Sequence, residues 1–520
     1  MPTLTDEVKR EIGQHFVFGF HGHEVSDEIR TLIREYYVGS VILMKRNVRD
    51  AKQVRRVVQE LQRVAKEAGH ERPLLVGIDQ ENGLVSAFSS PTAGTQFPGA
   101  MALAASGDAE LAFEVSAATA RELKMVGVNW VYSPVADVNS DSRNPVIDPA
   151  DVARFASAVA RGHVSGGVAP CGKHFPGHGD THVDSHVALP VINKSKDALQ
   201  ATELVPFAAL VGGADPIPSI MVGHMALPGL TGDNTPASLA RGVTRELLRG
   251  EMGYEGVVVT DCLEMSAIAD AGQGGCGVEE AAVRALEAGV DVVMACHTFG
   301  RHVGALEAVY RAVESGRLGL EELKEGGRRV GRMKEVYVGG WDDVLTRGEG
   351  WDEEWRALKR MNGELSKVGY RKSLKVMWGG DKLPMRVEDG KAVMVFTPAM
   401  ESVNAAVDDK DDVGTSYAAL AEAVQGRHVV YSASSGEVEG ICDDIGGVIF
   451  VLRNADRSAW QREYMQRVLG ACGGIPVVLL ASCGPYDLVG QEHLADRTAY
   501  VASFEFTREA LLGFASNLIR

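Results

Sequence analysis

The residues with most chemistry to offer lie in one stretch, Lys173-His174-Phe175-Pro176-Gly177-His178-Gly179-Asp180-Thr181-His182-Val183-Asp184-Ser185-His186. His174, His178, His182 and His186 recur at every fourth position. On a continuous helix they would share one face, a zinc-binding pattern. Pro176, Gly177 and Gly179 argue against such a helix, and a strand end running into a glycine-hinged loop fits better. Within that loop Asp184 and His186 stand two apart, so in an extended segment both point the same way. The carboxylate can then accept a hydrogen bond from one imidazole nitrogen, which fixes the tautomer and favours the protonated ring. A histidine so held can give a proton to a leaving group and later take one from water. An Asp-x-His pair that only staples a loop has the same spacing, and the residues alone leave both readings open.

Two further carboxylates end apolar runs. Val257-Val258-Val259-Thr260-Asp261-Cys262-Leu263-Glu264-Met265 delivers Asp261 from a buried strand, as a nucleophile, a base or a helix cap. Cys262 after it reads as a small packed residue. In Val76-Gly77-Ile78-Asp79-Gln80-Glu81-Asn82-Gly83, Asp79 precedes a tight loop and can accept hydrogen bonds from sugar hydroxyls or cap the next element.

These side chains need a scaffold, and the hydropathy pattern predicts one. Eight short apolar runs recur: His15–Phe20, Gly39–Met44, Leu74–Asp79, Val128–Pro134, Val168–His174, Ser219–His224, Gly256–Asp261 and Val290–Cys296. Most are continuous, as for parallel strands covered on both faces. Amphipathic helical stretches separate them, among them Ala51–Ala68, Ala109–Met125, Val152–Ser165, Ala198–Val211, Thr244–Met252 and Val278–Ala288. Eightfold strand–helix alternation predicts a (β/α)8 TIM-type barrel over residues 1–337. Runs ending in Asp79, Lys173-His174, His224 and Asp261 support it, since barrel sites open at the C-terminal strand ends.

Residues 338–390 read as an ordered connector without a strand repeat, holding Trp341, Trp351, Trp355 and Trp378. Packing between domains is the favoured role for these rings, over a sugar-binding platform. Strand-like runs return at Ala392–Phe396, His428–Tyr431, Gly447–Leu452, Pro476–Ala481 and Ala499–Ala502, predicting a smaller, sandwich-like C-terminal α/β domain over 391–520.

Composition narrows the partners. Lys and Arg number 53 against 70 Asp and Glu, a net charge of −17. Such a surface disfavours nucleic acid and anionic membrane, both of which reward basic residues. Seven cysteines without a C-x-x-C pair, a polar Met1–Glu7 start and no run of 18 apolar residues predict a cytoplasmic protein. Oligomeric state stays open.

The long loop motif, with its Asp184-Ser185-His186 tail, resembles the signature of family 3 glycoside hydrolases, and more narrowly of their β-N-acetylglucosaminidase branch. Ile78-Asp79-Gln80-Glu81-x-Gly83, Phe97-Pro98-Gly99, Ser133-Pro134-Val135-x-Asp137-Val138-Asn139, Gly223-His224, Pro236-Ala237-Ser238-Leu239 and Thr260-Asp261-x-Leu263-Glu264-Met265 follow in that family's order, over about Thr31 to Tyr337. Pro485-Tyr486-Asp487-Leu488 is similar to the extra domain of its longer members. The resemblance implies a retaining hydrolase that removes terminal β-linked N-acetylglucosamine, with Asp261 as nucleophile, His186 as acid/base and Asp184 as its dyad partner. It implies sugar contacts for Asp79, Lys173 and His174, with His224 and Asp137 grouped as further substrate-binding candidates. It implies no metal and no organic cofactor, because the covalent route uses protein groups. The alternatives are a related β-glycosidase, a phosphorylase using phosphate in place of water, and a sugar-binding protein without turnover. Two departures stand out. Leu84 replaces a usual arginine, and the segment after Asn144-Pro145-Val146-Ile147 is shorter than in relatives, leaving Arg143 and Arg154 as candidates to replace a lost arginine.

Overall fold

The computed structural model describes residues 4–89, 93–139, 148–179, 189–213, 215–270, 275–345, 348–399, 410–438 and 440–519. Eight parallel strands close a barrel: β1 Phe16–Phe18, β2 Ser40–Leu43, β3 Leu75–Ile78, β4 Trp130–Val131, β5 Ala169–Phe175, β6 Ser219–Val222, β7 Val257–Cys262 and β8 Val292–Ala295. Each pairs with its sequence neighbours, and β1 closes onto β8 with Val17 opposite Met294. All eight expected runs become these strands. Alternate residues divide between two layers. Val257, Val259, Val292 and Met294 fill the barrel interior, while Val258, Val293 and Ala295 face the surrounding helices. Both faces are therefore apolar, which is why the runs are continuous.

Three expected helices differ in detail. Thr244–Met252 is a π-helix over Gly242–Glu251. Ala198–Val211 is two helices, Lys196–Ala201 and Leu204–Gly212. Pro206 falls in the first turn of the second, where its missing N–H needs no partner. The helix expected from Val152 starts earlier, at Pro149, with the Asp148 carboxylate accepting the Ala150 N–H at 2.9 Å.

The second sheet has the order β9-β14-β13-β12-β10-β11. Its strands are β9 Lys375–Trp378, β10 Ala392–Pro398, β11 Arg427–Tyr431, β12 Ile445–Leu452, β13 Val477–Ala481 and β14 Thr498–Ala502. β9 runs antiparallel to β14, and the other pairings are parallel. Phe396, Phe450 and Leu479 face one apolar layer; Val395, Ile449 and Leu480 face the other. β9 lies within the stretch read as a connector without strands. Its residues are mostly exposed, and an edge strand wet on both faces leaves no hydropathy signal to read.

The rest of that stretch is a strut, the helix Trp351–Ser373. Trp351 stacks on Trp355 with ring centroids 5.4 Å apart and donates Nε1–H to Met125 O at 2.8 Å. The Trp351 and Trp355 rings pack on the barrel core, and Trp378 packs at a tilt against Tyr500 in the second sheet. These rings pack, but each within one unit and not between domains as expected. Further along the strut, Asn362 donates to the buried Glu122 carboxylate at 2.8 Å and Ser366 to Gln96 O at 2.6 Å.

Glu505, just beyond β14, joins the two units. Its carboxylate accepts the Gly99 N–H at 2.9 Å, the Tyr370 hydroxyl at 2.8 Å and the Thr507 hydroxyl at 2.7 Å. Gly83 lies beneath it at φ +60°, and a Cβ there would stand 2.8 Å from Glu505 Oε2. That close approach accounts for the glycine. Among the described residues no helix is long and apolar enough to cross a membrane.

Burial pushes the Glu505 carboxyl up to about 7, against the pull of its three donors. A carboxyl raised above its unfolded value binds its proton more tightly in the fold. Its stabilisation is full below the ordinary value of 4.5 and is lost as pH rises towards 7. Glu505→Gln keeps the shape and stays neutral, so its Tm should gain on wild type between about pH 5 and pH 8. Thermal melts with a constant difference across that range would refute the assignment.

Candidate active site

The C-terminal strand ends open into a cleft of about 2440 Å³ that also reaches the second domain at Phe506 and Thr507. Asp79, Lys173, His174 and Asp261 line it from β3, β5 and β7. Lys173 and His174 are adjacent, so regular strand alternation would send one of them away. The ladder between β5 and β6 shifts register between Gly172 and Phe175, and such an irregularity re-aims side chains.

Lys173 is 4% exposed. Its ammonium donates to Asp79 Oδ1 at 2.7 Å and lies 2.6 Å from Glu81 Oε1. Burial disfavours the charge, but the two carboxylates outweigh it and hold the amine protonated. Glu81 went unassigned in the sequence, although its position two residues after Asp79 in an extended segment was a usable signal.

His174 is fixed by Asp137. Asp137 Oδ2 accepts from His174 Nδ1 at 2.8 Å, and Oδ1 accepts the backbone N–H groups of His174 at 3.1 Å and His178 at 2.7 Å. Burial opposes the imidazolium, yet Asp137 raises the His174 pKa above its ordinary value; the same pairing brings Asp137 below its own, again against burial. The other nitrogen, Nε2, lies 4.0 Å from Asp261 Oδ2. Gly179 packs directly against the backbone beside this support, since a Cβ there would lie 1.9 Å from Val138 O.

Asp261 completes the group. Its Oδ1 accepts the Cys262 N–H at 2.7 Å. Burial raises its carboxyl, but the His174 charge and that amide prevail, and the net shift is downward. An ionised carboxylate beside an imidazolium and an ammonium at a barrel mouth can act as a nucleophile or stabilise developing positive charge.

The structure thus brings Asp261, His174, Lys173 and Asp79 together at the cleft surface. It treats two other candidates differently. His224 is fully buried, with Nε2 donating to Cys262 O at 3.0 Å and Nδ1 bonded to the Ser238 hydroxyl at 2.7 Å. Burial holds its ring neutral. It supports the end of β7 and does not line the cleft, in contrast to the sugar contact expected of it. Asp137 commits both oxygens to the His174 and His178 groups and sits behind His174, also away from the expected contact. Asp184 and His186 lie outside the described residues, as does Arg143. Arg154 is exposed, bonds Asp151 at 2.8 Å and covers the Phe155 ring, so it does not replace the lost arginine in the cleft. Leu84 packs against the apolar layer of the second domain.

A barrel whose strand ends carry this charged group has the layout of a barrel enzyme. The sequence model of the "Glycosyl hydrolase family 3 N terminal domain" matches residues 7–333. The chain is 35% identical over 288 residues to "Beta-hexosaminidase A" of Pseudoalteromonas piscicida, a match covering 51% of this chain and 47% of that protein. It thus spans about half the length of that relative. It is also 35% identical over 291 residues to "Beta-hexosaminidase" of Alkalilimnicola ehrlichii, covering 54% of this chain and 80% of the relative. A solved family 3 β-N-acetylglucosaminidase from Paenibacillus sp. str. FPU-7 superposes with TM-score 0.84 at 31% identity, over 99% of this chain and 96% of that one. A fungal multi-domain family 3 β-N-acetylglucosaminidase gives 0.88 at 33% identity, over 98% of this chain and 59% of that one. The chain belongs to glycoside hydrolase family 3.

Two outcomes test the support of the site. In Asp137→Asn only the more distant Asp261 still opposes burial and Lys173 at His174, so its NMR titration midpoint should fall from its raised wild-type position; an unmoved midpoint refutes the pairing. Lys173→Met leaves Asp79 and Glu81 facing each other and should cost about 3–5 kcal/mol in denaturant unfolding. A change below about 1 kcal/mol would mean that the ammonium is not their counterion.

Proposed function

We propose that the protein is a retaining exo-β-N-acetylglucosaminidase, with residues 1–337 as its catalytic unit and 391–520 as a domain flanking the cleft. The observation that carries this reading is the ionised Asp261 carboxylate at the barrel mouth, beside His174 and Lys173, in a family 3 chain. The sugar preference rests on relatives named beta-hexosaminidase and on the β-N-acetylglucosaminidases that share the fold.

In the first step an Asp261 oxygen attacks the anomeric carbon and the bond to the leaving oxygen breaks. His186, supported by Asp184, gives its proton to that oxygen. In the second step the neutral His186 ring takes a proton from water, the water oxygen bonds the anomeric carbon, and Asp261 leaves as carboxylate. An imidazole does this work where most retaining enzymes use a second carboxyl. Lys173 and Asp79 offer a donor and an acceptor for sugar hydroxyls, and contacts of that kind strengthen as the ring flattens. His174 favours the ionised Asp261 carboxylate before its attack and again when it leaves.

Asp261→Ala should cut release of 4-nitrophenol from its N-acetyl-β-glucosaminide by about 10³-fold or more, roughly 4 kcal/mol in the barrier. His186→Ala should lose less on that substrate than on chitobiose, because a good leaving group needs little protonation. Trapping with a fluoro-glycoside followed by peptide mass mapping should place the adduct on Asp261. Equal slow turnover by wild type and Asp261→Ala across a panel of aryl β-glycosides would end the hydrolase reading. A phosphate-dependent rate with a sugar-1-phosphate product would replace hydrolysis by phosphorolysis.

A further inference from the structure

A second cluster stands on the wall of the same cleft. Cys262 ends β7, and Cys296 and His297 follow β8 directly. The strands are neighbours, with Met294 opposite Cys262, so the three residues leave adjacent strand ends together. Their two sulfurs and one His297 ring nitrogen all lie within 4.8 Å of one another. Cys262 and Cys296 are buried at 9% and 3% exposure, whereas His297 is exposed, and all three line the cleft.

Glu264 holds the segment that carries two of them. Its Oε2 accepts the N–H groups of Cys296 at 2.8 Å and His297 at 2.5 Å. The charges around the cluster include both signs. Arg46 donates to His297 Nδ1 at 3.2 Å and to Cys296 O at 2.5 Å. Arg301 and His302 each lie 3.9 Å from the Glu264 carboxylate. Two thiolates would offset both Arg46 and much of an incoming cation. A tetrahedral zinc site puts its sulfur and nitrogen donors about 3.5–3.8 Å apart, so each pair here needs to close by about an ångström at most. Thiolate and imidazole donors select zinc or another thiophilic ion over magnesium or calcium.

We propose that Cys262, Cys296 and His297 form a three-ligand site for zinc or a similar thiophilic ion, its fourth position open to the cleft, and that filling it obstructs the sugar site beside Asp261. Each coordinating thiol gives its proton to solvent. The effect on turnover rests on the hydrolase reading, but the binding does not, and it is measurable without substrate.

The test uses the full chain, metal-free and kept reduced, titrated with cobalt(II). One equivalent should bind with a thiolate-to-cobalt charge-transfer band that zinc(II) abolishes by displacement. Cys262→Ser and Cys296→Ser should each lose the band, His297→Ala should bind at least tenfold more weakly, and Cys442→Ser should match wild type. No band in the reduced chain, or a band that survives replacement of both Cys262 and Cys296, overturns the site. Histidines of the 174–186 stretch could bind cobalt only without that thiolate signal. Zinc should then inhibit aryl-glycoside turnover at least tenfold more strongly in wild type than in His297→Ala. Equal inhibition refutes the obstruction. Metal binding in a chain that turns over no glycoside counts against the hydrolase reading alone.

Discussion

Around a single buried ammonium the barrel mouth is organised. Lys173 has almost no contact with water, so its charge survives only because Asp79 and Glu81 face it from another strand end. Unpaired, the buried ammonium would carry a desolvation cost of several kcal/mol. The pairing ties β3 to β5 and sets the rim from which His174 faces Asp261. A low-dielectric pocket with fixed charges of both signs suits a reaction that builds positive charge on a sugar ring, because nothing need reorganise as that charge appears.

The support behind this rim is as specific as the rim. Asp137 spends both oxygens on His174 and His178, and His224 spends one ring nitrogen on the end of β7 and the other on the Ser238 hydroxyl. Neither touches the cleft, yet each decides where a cleft-lining group sits. This division between groups that face the substrate and groups that hold them is a common demand of preorganised sites. The second domain extends the same logic. Glu505 grips the Gly99 turn while Tyr486 accepts from Asn139 at 3.2 Å, so a loop of the C-terminal unit meets the barrel near its mouth.

Much of this was legible in the residues. The eight strands could be read because parallel strands buried on both faces must be apolar throughout, and Val257-Val258-Val259 is typical of them. The charged strand endings pointed to the mouth because several ionisable groups at the same ends of apolar runs fit a site that opens there. The strand Lys375–Trp378 was not legible. Its exposed residues satisfy no pattern, and it is a strand only because β14 offers it an unpaired edge. The tryptophans were legible as packing groups, but not the strut they ride on.

Sequence alone therefore determined the barrel, the order of its strands and the identity of the ionisable groups at their ends, since periodicity and residue type are local properties. Tertiary structure decided which of those groups face the cleft. Partners from distant strands settle that question: Asp137 claims His174 across 37 positions, and Cys262 claims His224 across 38. A histidine at a strand end reads the same whether its ring is spent on a carbonyl or free to meet a sugar, and only the fold supplies the carbonyl.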